Sequence, residues 1–167
     1  PFYRNINLIL TRIQEGASKD IVKKIRAEKD KENRNILKQK LPAICFSGQF
    51  TKRADNAIKE HSGYICLDFD GYKSNRDLLQ EKERLSKDKF VYSVFISPSG
   101  NGLKVLVKIP PIIDDHKSYF LSLQKYYDSE YFDKTCKNIS RVCYESYDPL
   151  IHVNAHSSLW DKIEEQE

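Results

Sequence analysis

A short apolar segment that ends in two aspartates, YICLDFDGYK at residues 64–73, limits the fold of this chain more than any other feature. Alternate residues of a β-strand point to the same side. Asp68 and Asp70 therefore share one side, while the apolar residues that alternate with them face a core. Gly71 follows directly, where a strand commonly turns. The segment predicts a strand that carries two carboxylates to the same side of a sheet.

Two later segments predict a β-hairpin. Residues 90–97, FVYSVFIS, are mostly apolar, β-branched or aromatic, and residues 103–109, LKVLVKI, alternate between two faces, one of which bears lysines. The connection between them, SPSGNG, is rich in serine and glycine. We therefore expect two antiparallel strands with an unusually glycine- and serine-rich turn.

Helices are predicted around these strands. Apolar residues at helical spacing predict helix over 18–41, with a turn in the polar sequence KDKENRN, and another helix over 54–61. A capping-box-like sequence begins a helix at Ser74, and an aromatic helix runs from Asp114 to Asp133. Short strands are expected at 43–46, 139–147 and 150–155, and a fraying charged tail at 161–167.

The order of these elements predicts an α/β fold of the α+β type, in one domain over residues 1–167. Residues of about 1–62 would form an N-terminal helical or αβ part, and residues of about 63–160 the sheet that carries the site. The chain starts at Pro1 and contains no methionine, which indicates a domain excised from a longer protein.

Composition restricts the setting of the protein. The net charge of +4 is a mild basic excess, compatible with nucleic acid as a partner but not diagnostic of it. No apolar stretch approaches the ~20 residues of a membrane span, so no membrane partner is expected. The four cysteines form no C-x-x-C pair, which argues against a disulfide or zinc site and favours a reducing, cytoplasmic location.

The paired aspartates need a chemical reason, since two carboxylates side by side repel each other at low dielectric. Protonation or a divalent cation relieves the repulsion, and Mg²⁺ and Mn²⁺ prefer such oxygen ligands. Metal-dependent nucleotidyl transfer uses carboxylates in this way. In haloacid-dehalogenase-like phosphatases, whose hhhDxDGT motif LDFDGY resembles, Asp68 would be the nucleophile and Asp70 the general acid. Tyr72 stands where that motif has threonine. Two hydrated aspartates at a strand end are the simplest alternative.

The turn sequence SPSGNGLK favours nucleotidyl transfer. Ser97 and Ser99 supply hydroxyl groups, and Lys104 supplies a positive charge at the start of the next strand. Gly100 and Gly102 allow backbone N–H groups to approach an anion, as in phosphate-binding nests. Taken alone, the same sequence describes a flexible hairpin loop with an exposed lysine.

A third element lies in YFDKTCKNISRVCYESYDP, residues 131–149. Asp133 would add a third carboxylate to the pair, and Arg141 would bind phosphate through two hydrogen bonds. Asp148 is the rival for the third carboxylate, but the following Pro149 and the turn-like sequence favour a structural role.

These motifs, in this order, resemble those of the archaeo-eukaryotic primase superfamily. The similarity is greatest to the primase-polymerase domains of the VirE-N-terminal-like group, found in mobile elements and CRISPR-associated primase-polymerases. LPAICFSGQF, EHSGYICLDFDGY, SPSGNGLKVLVKI and DKTCKNISRVCYESYDP carry it, and together with the helix from Ile21 to Arg26 they span nearly the whole chain. Many members of the superfamily have histidine where this chain has Lys104.

The resemblance implies a two-lobed fold, with an N-terminal αβ lobe and an RRM-like, mainly antiparallel sheet that bears the active site. It implies a template-dependent DNA primase or polymerase that joins NTPs or dNTPs on single-stranded DNA or a primer-template, within a longer parent chain. Asp68, Asp70 and Asp133 would bind two Mg²⁺ or Mn²⁺ ions. Phosphate contacts would come from Ser97, Ser99, Gly100, Gly102, Lys104 and Arg141.

The sequence also offers two weaker candidates for nucleic-acid contacts and two alternative functions. Lys52 and Arg53 are weak candidates for a template groove, because solvated surface lysines and arginines are common. The alternative functions are a dehalogenase-like phosphatase and a domain that binds nucleotide or nucleic acid without turnover.

Overall fold

A four-stranded antiparallel sheet forms the centre of the computed structural model, which describes residues 1–163. The helices and strands, numbered along the chain, are α1 (Ile6–Glu15), α2 (Lys19–Ala27), α3 (Lys31–Lys38), β1 (Ala43–Ile44), β2 (Gly48–Phe50), β3 (Ile58–His61), β4 (Tyr64–Phe69), α4 (Asn75–Ser86), β5 (Val91–Ile96), β6 (Leu103–Lys108), α5 (His116–Tyr127), β7 (Cys143–Tyr144) and β8 (His152–Val153). The sheet has the order β4-β6-β5-β8. The predicted hairpin is confirmed as β5 and β6, and β4 pairs with the other side of β6.

The alternation along β4 and β6 divides their side chains between two cores. Leu67 and Val105 lie in the core that α4 and α5 cover. Cys66 and Leu106 lie on the opposite face, in a core that includes residues of α1. Both strands are therefore covered on both faces, and side chains with the parity of Cys66 and Leu106 point toward the N-terminal helices.

The chain returns to the edge of β4 after α5. Phe132 forms an antiparallel bridge with Phe69, and the Asp133 N–H donates to the Asp68 carbonyl at 2.8 Å. With this bridge counted as a short edge strand, residues 64–133 follow the β-α-β-β-α-β order of ferredoxin-like domains. The predicted α+β class is confirmed.

The predicted helix over 54–61 is wrong. A 3₁₀ turn, Asp55–Ala57, is followed by the strand β3, which pairs with β2 in antiparallel register. The ladder satisfies the backbone groups of this segment, and that tertiary pairing overrides a weak local helix preference.

The N-terminal helical region is divided differently from the prediction. α2 ends at Ala27, and the Asp30 side chain caps α3 by accepting from the Asn33 N–H at 2.8 Å. The break therefore lies before Lys31, and most of the polar sequence predicted as a turn belongs to α3.

The C-terminal half also departs from the prediction. α5 ends at Tyr127 because Asp128 takes the left-handed conformation with φ 41°, so Asp133 lies in the following extended segment and not at the helix end. The strands expected at 139–147 and 150–155 shorten to β7 and β8. The predicted cap of α4 is confirmed, since the Ser74 side chain accepts from the Asp77 N–H.

Within residues 1–163, no helix is long and apolar enough to cross a membrane. The last four residues of the charged tail predicted to fray lie outside the described residues.

A buried histidine pair links the end of β3 to the start of α5, and it should make stability depend on pH. His61 Nδ1 accepts from the Gly63 N–H, so its Nε2 donates to His116 Nδ1 at 2.9 Å. Burial, reinforced by His61, lowers the pKa of His116 to about 4, although Asp55 opposes the shift. In the unfolded chain, His116 protonates near pH 6.5. The contribution of neutral His116 to the free energy of unfolding is therefore complete above pH 6.5 and is lost as the pH falls toward 4.

The expected loss across that range is about 3 kcal/mol in the free energy of unfolding, because each pH unit of pKa difference corresponds to about 1.4 kcal/mol. Urea denaturation at pH 7.5 and pH 5 should show a smaller pH dependence for His116→Gln than for the parent. Equal pH dependence in both proteins would rule out this origin.

Candidate active site

The sequence-predicted site residues meet in one cleft of about 510 Å³ between the end of the central sheet and α3. Asp68 lies on β4, Asp70 directly follows it, and Asp133 lies on the segment after α5. The serine-rich loop connects β5 and β6. Of the predicted residues, those that line the cleft are Asp68, Asp70, Asp133, Ser97, Ser99, Lys104, Arg141 and Arg53. Those that are not part of the lining are Gly100, Gly102 and Lys52.

Asp68 and Asp133 form a close acidic pair in the cleft. The backbone bond from Asp133 to Asp68 fixes their spacing, and the Cys136 thiol donates to Asp68 Oδ2 at 3.3 Å and to Asp133 Oδ2 at 3.2 Å. One ligand atom from each of these three residues lies within 4.8 Å of the others. Two carboxylate oxygens at this spacing fit the oxygen-rich coordination that Mg²⁺ and Mn²⁺ prefer.

Cys136 is a site residue that the sequence reasoning missed. Its spacing of three residues from Asp133 was the available signal, but the four cysteines were considered only as possible disulfide or zinc ligands. Burial raises the pKa of the Cys136 thiol, and the neighbouring Asp68 and Asp133 carboxylates add to that effect. The thiol therefore acts here as a hydrogen-bond donor to both acids.

Asp70 lies beside this pair, but outside the group whose ligand atoms are within 4.8 Å. Its N–H donates to the Tyr131 carbonyl at 2.8 Å. Although Asp70 is exposed, partial desolvation in the cleft raises its pKa, and the charges of Asp68 and Asp133 raise it further, while Lys104 and Lys38 oppose them. The negative charge of Asp70 is therefore less favoured in the folded protein than in water.

Lys104 faces Asp68 directly across the β4–β6 ladder, and its ammonium lies 2.8 Å from Asp68 Oδ2. Burial alone would lower the pKa of Lys104, but the Cys143 and Cys66 sulfurs and the Asp68 carboxylate together raise it. The sequence suggested protonation or a cation as the remedy for two adjacent carboxylates. The structure adds a third remedy, an ion pair from the neighbouring strand.

The loop between β5 and β6 is held by its own hydrogen bonds and by Arg26. The Gly100 N–H donates to the Ser97 carbonyl at 2.9 Å, so this N–H is used within the turn. The Arg26 guanidinium donates to the carbonyls of Ser97 at 3.1 Å and Tyr147 at 2.9 Å. The Ser97 hydroxyl is buried and has no hydrogen-bond partner among the described residues.

Arg141 lines the cleft, whereas Asp148 does not. Arg141 is exposed on the cleft wall, and its charge contributes to a lowered pKa of Asp133. Burial opposes that lowering, but hydrogen bonds from Thr135 and Cys136 outweigh it. Asp148 is outside the cleft lining and forms an ion pair of 2.7 Å with Lys82. The structure thus gives Asp148 the structural role that its sequence context favoured.

A basic face of α3 completes the cleft, and the sequence reasoning missed it. Lys31, Arg34, Asn35 and Lys38 line the cleft on the side of this helix. Their spacing of three, four and seven residues is the spacing of one helical face. This spacing is visible in the sequence. However, the segment has few apolar residues, and part of it was predicted to be a turn.

Comparison with known proteins gives one match. A family model described as "BT4734-like, N-terminal domain" matches residues 36–152, more than half of the chain. This chain belongs to that family. No curated protein and no solved structure matches it.

The BT4734-like match covers the central sheet and the catalytic candidates from Asp68 to Arg141. It begins inside α3, so that Lys38 is included while Lys31 and Arg34 precede it. The acidic half of the cleft therefore belongs to the matched domain, and part of the basic face lies before it.

Gly102 is required for close approach of the loop to β4. A Cβ at Gly102 would lie 2.2 Å from Asp70 Oδ1 and 2.9 Å from the Phe69 carbonyl oxygen. Gly102→Ala must therefore displace either the Asp70 carboxylate or the hairpin. We expect a loss of about 1–3 kcal/mol in the free energy of unfolding, measured by urea denaturation. We also expect at least about a tenfold loss of the nucleotide incorporation that the sequence resemblance implies.

Gly71→Ala is the matched control, because no atom lies within 4 Å of its added Cβ, although its φ of 88° introduces strain. That strain costs about 1–2 kcal/mol, so Gly71→Ala should lose stability but keep most of its activity. Full activity in Gly102→Ala would show that Asp70 does not need its present position.

Proposed function

We propose that this domain is a template-dependent nucleotidyltransferase of the primase-polymerase type, which joins NTPs or dNTPs on single-stranded DNA with Mg²⁺ or Mn²⁺. The observation that carries the proposal is the meeting of three carboxylates with the serine-rich loop and with basic side chains in a single cleft. These residues come from separate parts of the sequence, which makes a chance surface cluster a poor explanation.

The acidic end of the cleft supplies the metal ligands. Asp68 and Asp133 are fixed to each other through the backbone, and Asp70 extends the acidic surface toward the loop. Divalent cations bound here would neutralise phosphate charge and lower the pKa of a 3′-hydroxyl. Lys104 balances the charge of Asp68 from the adjacent strand, which helps the fold to hold these carboxylates close together.

The loop and Arg141 form the phosphate-binding end. The buried Ser97 hydroxyl lacks a partner within the described residues, and Ser99 and the exposed Arg141 line the same cleft. Hydroxyl and guanidinium groups suit a triphosphate, since charge-assisted hydrogen bonds to phosphate are strong and directional. Arg26 positions this loop through the Ser97 carbonyl and does not contact the substrate in this proposal.

The setting that we propose is a reducing cytoplasm. All four cysteines are free thiols, which supports a reducing compartment. Cys136 in particular donates to both acids as a thiol, an arrangement that a disulfide would remove.

One assay tests the proposal. The domain is incubated with single-stranded DNA, Mg²⁺ or Mn²⁺, and labelled NTPs or dNTPs, with and without a primer, and products are separated on a gel. We expect labelled strands only when metal and template are both present. Release of inorganic phosphate without strand synthesis would instead support a phosphatase, and nucleotide binding without any product would support a non-catalytic domain.

A further inference from the structure

The basic face of α3 carries more positive charge than the residues around it balance. Lys31, Arg34 and Lys38 line the cleft from one side, and Arg53 lines it as well. None of these four side chains forms an ion pair with an acidic group within residues 1–163. Lys104, in contrast, is already paired with Asp68.

These cations also oppose one another. Burial lowers the pKa of Lys38, and the charges of Lys104, Arg34 and Lys31 lower it further, with Asp70 as the opposing charge. A row of like charges along one wall of a cleft is unfavourable by itself and attracts a polyanion. α3 also contributes no fully buried side chain, so its cleft-facing residues are not needed to fill a core.

The row has a direction relative to the carboxylates. Lys38 is the α3 residue whose charge acts on Asp70. Lys31 lies seven residues earlier, which corresponds to about 10 Å along a helix axis. The row therefore leads away from Asp70 along α3 over about 10 Å.

We propose that Lys31, Arg34, Lys38 and Arg53 bind the phosphodiester backbone of a single-stranded DNA that enters the cleft toward Asp70. The inference rests on the proposed function for the identity of the polyanion. It assigns to α3 a binding site separate from that of the nucleotide. It also explains why a helix mostly outside the matched family domain forms one wall of the candidate active site.

Binding experiments test this site without relying on activity. Lys31→Gln/Arg34→Gln removes two charges of the row, and Lys23→Gln/Lys24→Gln removes two charges from exposed residues of α2 that do not line the cleft. Fluorescence anisotropy with a labelled thymidine oligonucleotide, at 50–250 mM salt, measures the affinity of each protein. A titration with ATP and Mg²⁺ measures nucleotide affinity separately.

The α3 variant should bind the oligonucleotide about tenfold more weakly at 150 mM salt, and its salt slope should fall by about 1.4, since each single-strand phosphate contact contributes about 0.7. Its ATP affinity and the behaviour of the α2 variant should match the parent. A variant that loses ATP affinity but retains DNA affinity would overturn the proposal, as would equal losses in both variants. Absence of oligonucleotide binding by the parent would overturn it too.

The two proposals fail separately. If the parent protein binds DNA through α3 but synthesises no strand, the proposed binding site stands and the proposed nucleotidyltransferase activity is refuted. If the parent synthesises strands but the α3 variant binds DNA with unchanged affinity and salt slope, the proposed activity stands and the proposed binding site is refuted. Thermal unfolding of each variant checks that the substitutions preserve the fold. Lys31→Gln alone, at an exposed residue, repeats the test with half of the expected slope change.

Discussion

Asp68→Asn and Asp70→Asn are both expected to lose nucleotide incorporation, but with opposite effects on stability. Asp68 is the ion-pair partner of Lys104, whose side chain is only 15% exposed. Replacement of Asp68 leaves the largely buried Lys104 ammonium without a counter-charge. The change should lower the free energy of unfolding by about 2–3 kcal/mol. Asp70 is exposed, but partial desolvation in the cleft and the charges of the other two acids disfavour its anionic form. Asp70→Asn should therefore unfold at the same or a higher urea concentration than the parent.

Activity should fall in both variants by about 10²–10³-fold or more, the usual cost of removing one preorganised electrostatic group at a reaction centre. Asp161→Asn, an exposed acid outside the cleft lining, is the matched control and should behave as the parent. Added Mn²⁺ should raise the melting temperature of the parent and of the control more than that of Asp68→Asn, through ligand linkage. An active Asp70→Asn would contradict the assignment of the site.

Asp148→Asn should have the largest effect on stability. Asp148 is 3% exposed, and its carboxylate accepts from Lys82 Nζ at 2.7 Å and from the backbone N–H groups of Ile96 at 2.9 Å and Leu150 at 3.0 Å. Removal of one partner of a buried ion pair costs about 3–5 kcal/mol. Because Ile96 directly precedes Ser97, the change should also loosen the phosphate-binding loop. Urea denaturation measures the loss.

Two comparisons make the result specific. The double substitution Lys82→Met/Asp148→Leu should recover part of the loss, since an apolar pair leaves no buried charge, although the two N–H groups remain unpaired. Asp133→Asn should show the reverse pattern, with activity lost and stability close to that of the parent. A stable but inactive Asp148→Asn would show that Asp148, and not Asp133, is the third carboxylate of the site.

The parts of the site that share one strand or one turn could be predicted from the sequence. The period of two along β4 placed Asp68 on the face opposite Leu67, and the turn composition identified the loop that lines the cleft. The position of Asp133 beside Asp68 was not predictable from local pattern. It depends on Asp128, an aspartate in the left-handed conformation that usually favours glycine, which ends α5 and lets the chain return to β4.

Other features depend on contacts between distant segments. The pairing of Lys104 with Asp68 follows from the register of two non-consecutive strands, and no local pattern sets that register. β3 was mistaken for helix because its partner β2 supplies the hydrogen bonds that decide its conformation. The basic face of α3 was overlooked because a helix with few apolar residues gives a weak periodic signal.

The most direct test of the central claim is sequence-programmed incorporation. The parent and Asp70→Asn are given a homopolymer of thymidine, adenosine or cytidine as template, each with all four labelled nucleotides in turn and with Mn²⁺ or Mg²⁺. The account predicts that only the complementary nucleotide is joined by the parent, that chelation of the metal stops the reaction, and that Asp70→Asn yields no product. Incorporation that ignores the template base, or that persists in Asp70→Asn, would contradict it.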